Sequence, residues 1–143
     1  MSLIIMCKQR KKRLKAMTLL ELLAVVIIVG IIVTFAYPSY LSHVVKANRS
    51  VALSDLSKIQ LYLENGYDGS YVSAANSVMA GGSCGICESD SNNYSITIAA
   101  NKDNYTISAD PLNKQEKDTC LGSSQDVLTL KQTGKGQPIA CWD

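Results

Sequence analysis

The chain has 143 residues, of which 47% are hydrophobic and 6% aromatic, so it can form one modest domain and is too short for a large multidomain enzyme. Six of its fourteen basic residues lie before residue 17, whereas all twelve acids lie after it, so the net charge of +2 is unevenly distributed. Residues 17–143 carry a net charge of −4, which argues against a soluble protein that binds nucleic acid over its whole surface.

An apolar run follows the basic N-terminal block. It extends from Met17 to Tyr37, and Glu21 is its only charged residue. As an α-helix this run is about 31 Å long, which is enough to cross the hydrocarbon core of a bilayer. The basic block predicts that the N-terminus stays in the cytoplasm and that the residues after the run lie outside it.

Two ordinary interpretations of the run fit less well. A secretory signal has a shorter apolar core and ends at a small-residue cleavage site, whereas TFAYPSY ends this run. A plain single-pass anchor gives no reason for Glu21, because a carboxylate at membrane depth costs about 2.5 to 3.5 kcal/mol and requires a partner. An acid that snorkels to the membrane surface remains an alternative.

The segment KAMTLLELLAVVIIVGIIVTFAYPSY resembles the N-terminus of type IV pilins and of type II secretion pseudopilins. The resemblance implies that residues 1–16 are a cytoplasmic leader, which a prepilin peptidase cuts between Ala16 and Met17, with N-methylation at Met17. Glu21 is then the fifth residue after the cut. The resemblance implies that Glu21 pairs with the new amine of a neighbouring subunit and fixes the register between subunits in a filament.

Gly30 and Pro38 also stand where many pilins have these residues. Proline removes a backbone donor and predicts a bend or a loosened turn, and glycine lowers helix propensity. Two interpretations stay open: the stretch opens when a subunit leaves the bilayer, or Gly30 permits close helix contact. The chain departs from the family pattern at the cut, where Ala16 replaces glycine and Met17 replaces phenylalanine.

Residues 39–66 form an amphipathic continuation of the apolar run, and the pair Asn65 and Gly66 supplies a stop signal. Together residues 17–66 predict one helix over about residues 18–65. Residues 17–38 would lie in a membrane or filament core, and residues 39–66 would cover a globular domain. The face predicted to pack on that domain consists of Val45, Ala52, Leu56, Ile59 and Leu63.

Residues 67–143 predict a C-terminal globular β domain. The stretch from Gly66 to about Asn93 is rich in Gly, Ser and Asn and predicts a long connecting loop with little regular structure. YSITIAA and YTISA flank a polar NKDN and predict a hairpin, and VLTLKQTGKGQ predicts a third strand and a turn. A helix followed by three or four antiparallel strands is an α+β fold. The resemblance implies the type IV pilin fold, in which a long N-terminal helix packs on a small antiparallel sheet.

Five cysteines are present, of which Cys7 lies in the implied leader. The remaining four, Cys84, Cys87, Cys120 and Cys141, predict two disulfides in an oxidising envelope. Three pairings are possible, and we favour Cys84 with Cys87 and Cys120 with Cys141. A redox or zinc site at C-G-I-C is less favoured, because the context is a glycine-rich loop and no second C-x-x-C supplies further ligands.

The sequence predicts neither an enzyme nor a cofactor or metal site, because no nucleophile, base and orienting group stand together. The segment from Lys117 to Asp143 resembles the end of PilE-type minor pilins, in which a late cysteine pair bounds a loop and a tryptophan follows. Our leading hypothesis is therefore a type IV pilus subunit of the minor pilin class, acting in pilus assembly, motility, adhesion or DNA uptake.

The resemblance implies three kinds of partner: other pilin subunits in a helical filament, the prepilin peptidase and methyltransferase, and the inner-membrane assembly platform. It implies a single pass through the inner membrane before assembly, with the C-terminal domain outside, and an extracellular pilus afterwards. A type II secretion pseudopilin is the close alternative, although that family more often ends in a metal-stabilised loop. A DNA-binding or adhesin module is a further alternative, on the hypothesis that five lysines form a basic strip: Lys102, Lys114, Lys117, Lys131 and Lys135.

Overall fold

The computed structural model describes residues 17–123 and 126–142, and its two compact units divide between Pro38 and Ser39. The predicted leader, with Ala16 and Cys7, lies outside the described residues. One helix, α1 (Leu19–Asn65), contributes to both units. This helix confirms the prediction of a long N-terminal helix, and each unit is described below by itself.

The first unit is the apolar part of α1. Thr18 caps the helix, because its Oγ1 accepts a hydrogen bond from the backbone N–H of Glu21 at 3.2 Å. The apolar side chains are exposed, as at Leu19 (81%) and Phe35 (78%). By length and composition α1 is able to cross a membrane, and none of its most apolar window is buried within the chain.

The helix continues through both Gly30 and Pro38. Thr34 donates its hydroxyl to the carbonyl oxygen of Gly30 at 2.9 Å. A Cβ added at Gly30 would meet no atom within 4 Å in the described chain. Contacts within a single subunit therefore give no reason for a glycine at this position.

The second unit begins at Ser39 and contains the hydrophobic core. Ala52, Leu56, Ile59 and Leu63 of α1 are fully buried, which confirms the predicted packing face, and Val45 is half-buried. Their spacing of four, three and four residues places them on one side of the helix. They pack in one cluster with buried side chains of the sheet, Tyr94, Tyr105, Ile107, Ala109, Leu128 and Leu130.

Four antiparallel strands form a sheet among the described residues, in the order β1 (Tyr94–Ala100), β2 (Tyr105–Pro111), β3 (Leu128–Lys131) and β4 (Gly136–Gln137). Ile98 is opposite Ile107, and Ile107 is opposite Leu130. Side chains alternate along each strand, so every second residue of β2 and β3 is buried. The sheet confirms the predicted hairpin, the third strand and the α+β fold.

The expectation of little regular structure between Gly66 and Asn93 is wrong at a second helix, α2 (Tyr71–Val78). Ser70 caps this helix by accepting a hydrogen bond from the backbone N–H of Val72 at 3.3 Å. The helix α2 buries its first residue, Tyr71, and the residues three, four and seven positions later, Ala74, Ala75 and Val78. The helix forms because this apolar side packs on the core beside β1.

Both disulfides follow the pairing that we favour from the sequence. Cys84 is bonded to Cys87 in the loop after α2, and Cys120 is bonded to Cys141 near the end of the chain. The second disulfide closes a segment that contains β3 and β4. Gly136 of β4 lies so close to Trp142 that a Cβ at this position would overlap the indole ring.

A buried carboxylate fastens the Cys84–Cys87 loop to α1. Asp55 is 1% exposed, and its side chain accepts hydrogen bonds from the backbone N–H groups of Glu88 (3.0 Å) and Ser89 (2.7 Å). Lys58 lies one turn further along α1, with its Nζ 2.6 Å from Glu88 Oε1. These contacts offset the free-energy cost of burying the charged carboxylate of Asp55.

Candidate nucleic-acid interface

Two hairpin turns lie side by side at one end of the sheet. The first joins β1 to β2, where Ala100 is opposite Tyr105, and the second joins β3 to β4. Thr106 of β2 is opposite Lys131, which places the two turns next to each other. We call residues 101–104 and 131–136 the turn end.

Three exposed lysines belong to the turn end: Lys102 in the first turn, and Lys131 and Lys135 in the second. Within the described ranges, none of the three has a carboxylate at salt-bridge distance. Their ammonium groups are therefore available to an anionic ligand, such as the phosphates of a nucleic acid.

Side-chain and backbone hydrogen bonds fix both turns. Asn101 Oδ1 accepts from the backbone N–H groups of Asp103 (2.9 Å) and Asn104 (2.8 Å), which is an Asx turn. In the second turn, Lys131 and Lys135 are joined by a backbone hydrogen bond of 3.1 Å, and Gly134 has a φ of +74°. The backbone that carries the lysines is therefore held in place while their side chains stay in solvent.

Glu64, near the end of α1, is hydrogen-bonded to two tyrosines that adjoin the turn end. Its two carboxylate oxygens accept hydrogen bonds from the hydroxyls of Tyr105 (2.7 Å) and Tyr71 (3.1 Å). Gln132 of the second turn donates to the Tyr71 hydroxyl at 2.9 Å. Burial raises the pKa of Tyr105, and the hydrogen bond to Glu64 raises it further, so this phenol stays a donor at neutral pH.

Tyr71 also connects the first turn to α2. Its backbone N–H donates to the carbonyl oxygen of Asn101 at 3.2 Å. The exposed ring of Tyr67 lies against the ring of Tyr71, with the two ring centroids 4.6 Å apart. An exposed aromatic ring is a surface on which a nucleic-acid base can stack.

The charge of the turn end is mixed. Asp103 lies beside Lys102 in the first turn, and Glu64 is bonded to Tyr105 next to it, so the lysines are accompanied by acids. Glu64 is occupied by two tyrosine hydroxyls, and Asp68 accepts the hydroxyl of Ser73 at 3.3 Å. Such a surface favours weak and salt-sensitive contacts with phosphates.

The five lysines of the predicted basic strip do not form one strip. Lys114 and Lys117 lie in the short 3-10 helix that follows β2, at the opposite end of that strand from Lys102. The seven residues of β2 separate the two ends by about 20 Å. Lys46 of α1 lies with Lys114 and Lys117 around a groove, and the predicted strip does not include Lys46.

Arg49 is the one arginine in residues 17–143, and it is engaged within the subunit. Its Nη1 lies 2.6 Å from Oδ1 of Asp118, which is 5% exposed. The backbone N–H of Cys120 also donates to this oxygen, at 3.3 Å. The ion pair therefore joins α1 to the segment that enters the second disulfide.

The residues predicted for processing and assembly are spread along the first unit. Met17 and Glu21 are exposed at the start of α1, and Gly30 and Pro38 lie within the helix. No group of three or more His, Cys, Asp or Glu side chains in the described part of the chain is arranged to hold a metal ion.

A long apolar N-terminal helix, an amphipathic continuation on an antiparallel sheet and a disulfide-closed C-terminal segment together define a pilin-like protein. A family model described as "Type IV minor pilin ComP, DNA uptake sequence receptor" matches residues 38–124, more than half of the chain. The chain belongs to this family, which confirms the prediction of a non-enzymatic minor pilin. Comparison with curated proteins and with solved structures finds no match.

The match decides between the minor pilin and the pseudopilin alternatives in favour of the minor pilin. The matched range includes the first turn with Lys102 and ends before Lys131 and Lys135. It also includes Glu64, Tyr67 and Tyr71, whose part in the turn end the sequence does not predict. Glu64 in particular has the pattern of an ordinary exposed acid near a helix end.

Proposed function

We propose that this minor pilin binds duplex DNA at the turn end, with Lys102, Lys131 and Lys135 contacting phosphates. The observation that carries the proposal is the convergence of three exposed lysines, without ion-pair partners among the described residues, on two adjacent turns of fixed backbone. Adjacent turns present charges in a fixed spacing, which positions a protein on a duplex. Membership of a family of DNA uptake sequence receptors supports DNA as the ligand.

The place of the turn end along α1 supports the same proposal. The chain enters the second unit at Ser39, and Gln115 near that end donates to the carbonyl oxygen of Val45 at 3.1 Å. Glu64 lies at the turn end. Nineteen residues of helix separate Val45 from Glu64, about 28 Å. The turn end is thus remote, within its unit, from the point where the apolar helix enters, and it is suited to meet a long ligand in solution.

The expected affinity of one subunit is low. Three phosphate contacts give a slope of about −2.7 for the logarithm of the binding constant against the logarithm of salt concentration. The mixed charge of the region and the net charge of −4 over residues 17–143 reduce attraction at long range. A dissociation constant on the order of 10⁻⁴ M at physiological salt is expected for a single subunit.

Fluorescence anisotropy of a labelled duplex tests the proposal, measured in neutral detergent micelles with residues 17–143, which lack the basic N-terminal block. The variant Lys102→Ala/Lys131→Ala/Lys135→Ala is expected to lose most of the binding and most of the salt dependence. The variant Lys46→Ala/Lys114→Ala/Lys117→Ala is the matched control, because it removes the same charge from the other end of β2.

Equal loss of binding in the two triple variants would mean that total charge alone governs the interaction, and it would contradict the proposed site. Loss in the control alone would place DNA at the groove instead. Tyr67→Leu adds a second readout, because a stacking ring contributes about 1 to 3 kcal/mol with unpaired bases. The Tyr67→Leu substitution is expected to weaken binding of single-stranded DNA and to change binding of a closed duplex only slightly.

The proposed route to the filament starts with the prepilin peptidase cutting between Ala16 and Met17, followed by N-methylation at Met17. The subunit is proposed to wait in the inner membrane as a single-pass protein with residues 39–143 outside. The assembly platform then transfers it to a helical filament of other pilins. Glu21 supports this route, because it is the one charge in the exposed apolar part of α1 and pairs with a neighbour's amine.

Mass spectrometry of the N-terminus of protein from cells tests the processing step, with a methylated Met17 as the expected first residue. Glu21→Ala is expected to block incorporation into fibres while leaving membrane insertion intact. Glu21→Asp is the control, because it keeps the charge. Fibre incorporation of Glu21→Ala at the wild-type level would contradict the pairing, and an intact leader on fibre-borne protein would contradict the cut.

A further inference from the structure

A groove of about 650 Å³ lies between α1 and the segment around residues 113–119. Its wall on α1 includes the half-buried aliphatic side chains of Leu41, Val44 and Val45. The groove belongs wholly to the second unit. Its volume is in the range of sites that hold small molecules, and the DNA-binding proposal makes no use of it.

Three lysines surround the groove. Lys46 comes from α1, and Lys114 and Lys117 come from the 3-10 helix Asn113–Lys117. All three are exposed, and no described carboxylate lies at salt-bridge distance from any of them. Aliphatic walls with a rim of ammonium groups fit a ligand that has both apolar chains and a negative charge.

Gln115 holds the two sides of the groove together. It is fully buried, and its Nε2 donates to the carbonyl oxygen of Val45 (3.1 Å) and to the hydroxyl of Tyr94 (3.0 Å). Its Oε1 accepts from Nδ2 of Asn48 at 3.2 Å. Lys114 and Lys117 are thereby kept at a fixed place beside α1, so the groove is a built feature of the fold.

Asp118 supplies an unused acceptor at the groove. It lines the groove and is 5% exposed, with Oδ1 bound by Arg49 and Oδ2 buried without a hydrogen-bond partner among the described residues. A buried acceptor without a donor is costly. Arg49 already balances the charge of Asp118, so a neutral hydroxyl is a suitable donor for this oxygen.

The residues of α1 that line the groove begin at Tyr40, three residues after the apolar run ends in the sequence. The apolar run ends at Tyr37, and Tyr37 and Tyr40 are 60% and 66% exposed. Exposed tyrosines after an apolar helix are typical of the interface between hydrocarbon and water. Lys46 follows Tyr40 by about 9 Å along the helix, and a lysine side chain is long enough to extend its ammonium group back toward the headgroup layer, which is about 5 to 7 Å deep.

We propose that this groove binds the headgroup of an anionic phospholipid that carries a hydroxyl, of the phosphatidylglycerol type, while the subunit waits in the membrane. The lysines contact the phosphate, the aliphatic wall contacts the upper part of the acyl chains, and a headgroup hydroxyl donates to Oδ2 of Asp118. The proposal rests on the proposed insertion of the apolar helix into the inner membrane, and it is independent of DNA binding.

Native mass spectrometry of residues 17–143, which lack the basic N-terminal block and contain every described residue, tests this proposal after release from mixed detergent–lipid micelles. Phosphatidylglycerol, phosphatidylcholine and phosphatidylmethanol with identical acyl chains are the probes. Wild-type protein is expected to retain phosphatidylglycerol well above phosphatidylcholine, with about a fivefold contribution from each lysine. Phosphatidylmethanol has the same charge without the hydroxyl, and its retention is expected to be about fivefold lower than that of phosphatidylglycerol.

Lys46→Ala/Lys114→Ala/Lys117→Ala is expected to abolish the preference over phosphatidylcholine, whereas Lys102→Ala/Lys131→Ala/Lys135→Ala is expected to keep it. An unchanged preference in the first variant, or an equal loss in both, would overturn the groove as the site. Equal retention of phosphatidylglycerol and phosphatidylmethanol would overturn the contact with Asp118. Transfer of each variant into nanodiscs reports membrane insertion separately, so a failure of insertion is distinguished from a failure of lipid binding.

Discussion

The hydroxyl of Tyr105 on β2 donates to Oε1 of Glu64 on α1 at 2.7 Å, across 41 residues of sequence. The other oxygen of the same carboxylate accepts from Tyr71 at the start of α2. One acid therefore joins a helix end, a second helix and the strand that follows the first turn. The stability of the turn end depends on this acid and its two phenols.

Removal of the Tyr105 hydroxyl by Tyr105→Phe is expected to lower the free energy of unfolding by about 1 to 2 kcal/mol, because the ring stays buried while a hydrogen bond to a carboxylate is lost. Urea denaturation measures this change. Tyr62→Phe is the matched control, since Tyr62 is 43% exposed, and its effect is expected to stay within about 0.5 kcal/mol. Equal effects of the two substitutions would contradict the role of Glu64.

Alkaline pH is expected to destabilise the second unit through the same phenol. Burial, and then the hydrogen bond to Glu64, raise the pKa of Tyr105 above the ordinary value of 10.0. A raised pKa means that the stabilisation is complete below pH 10 and is lost as the pH rises above it toward the folded-state pKa. Stability measured from pH 8 to 12 is expected to fall less steeply in Tyr105→Phe than in the wild type. Parallel curves would show that this phenol does not govern the loss.

The buried carboxylate of Asp55 is expected to be among the most important polar groups of the fold. Asp55→Asn replaces an acceptor of two backbone N–H groups with a side chain that has one acceptor and an NH₂ donor, and a loss of about 2 to 3 kcal/mol is expected. Chemical denaturation gives the value. Lys58→Met, on the exposed side of the same cluster, is expected to cost clearly less than Asp55→Asn, because solvent screens its ion pair. The reverse order would mean that the surface ion pair holds the loop.

The two disulfides are expected to contribute unequally. Cys120→Ser/Cys141→Ser opens a loop of 22 residues and is expected to cost about 3 kcal/mol, whereas Cys84→Ser/Cys87→Ser opens a loop of four and is expected to cost about 2 kcal/mol. Thermal unfolding of each double variant compares them. The buried position of Cys141 adds to the first cost, because a serine there places a hydroxyl in the core. A larger effect at Cys84 and Cys87 would contradict the ranking by loop length.

Gly136 is expected to be irreplaceable while Trp142 is present. A Cβ at Gly136 overlaps the indole ring, so Gly136→Ala is expected to cost about 1 to 3 kcal/mol through displacement of the ring or of β4. The double variant Gly136→Ala/Trp142→Leu is expected to cost less than the sum of the two single variants, since the smaller side chain leaves room. A double-mutant cycle by urea denaturation gives the coupling, and strict additivity would show that the overlap is relieved in another way.

Regular periodicity made much of the fold predictable. The spacing from Ala52 to Leu63 and the alternation in β1 and β2 reflect burial of one side of an element, and the apolar run reflects its length and composition, all of which are local properties of the sequence. The helix α2 also had local signals, a Ser70 cap and two alanines on one side, but glycines and serines on both sides favoured a loop. Its eight residues form a helix because the core covers them.

The site was less predictable, because its residues meet through long-range contacts. Asp55 and Glu64 have the same appearance in the sequence, as acids on an amphipathic helix, yet one is buried beneath a loop and the other receives two tyrosine hydroxyls. The division of the lysines depends on strand order: Lys102 and Lys131 are neighbours only because β2 pairs with both β1 and β3. No local pattern encodes that pairing.

The engagement of Arg49 by Asp118 limits how this subunit can distinguish one DNA sequence from another. Bidentate contact of a guanidinium with guanine is the commonest base-specific interaction in the major groove. The only guanidinium in residues 17–143 is 2.6 Å from a buried carboxylate, and the lysines of the turn end are single-point donors. Discrimination between sequences therefore falls to the lysines, to amide side chains, to the shape of the duplex, or to neighbouring subunits that hold the same duplex.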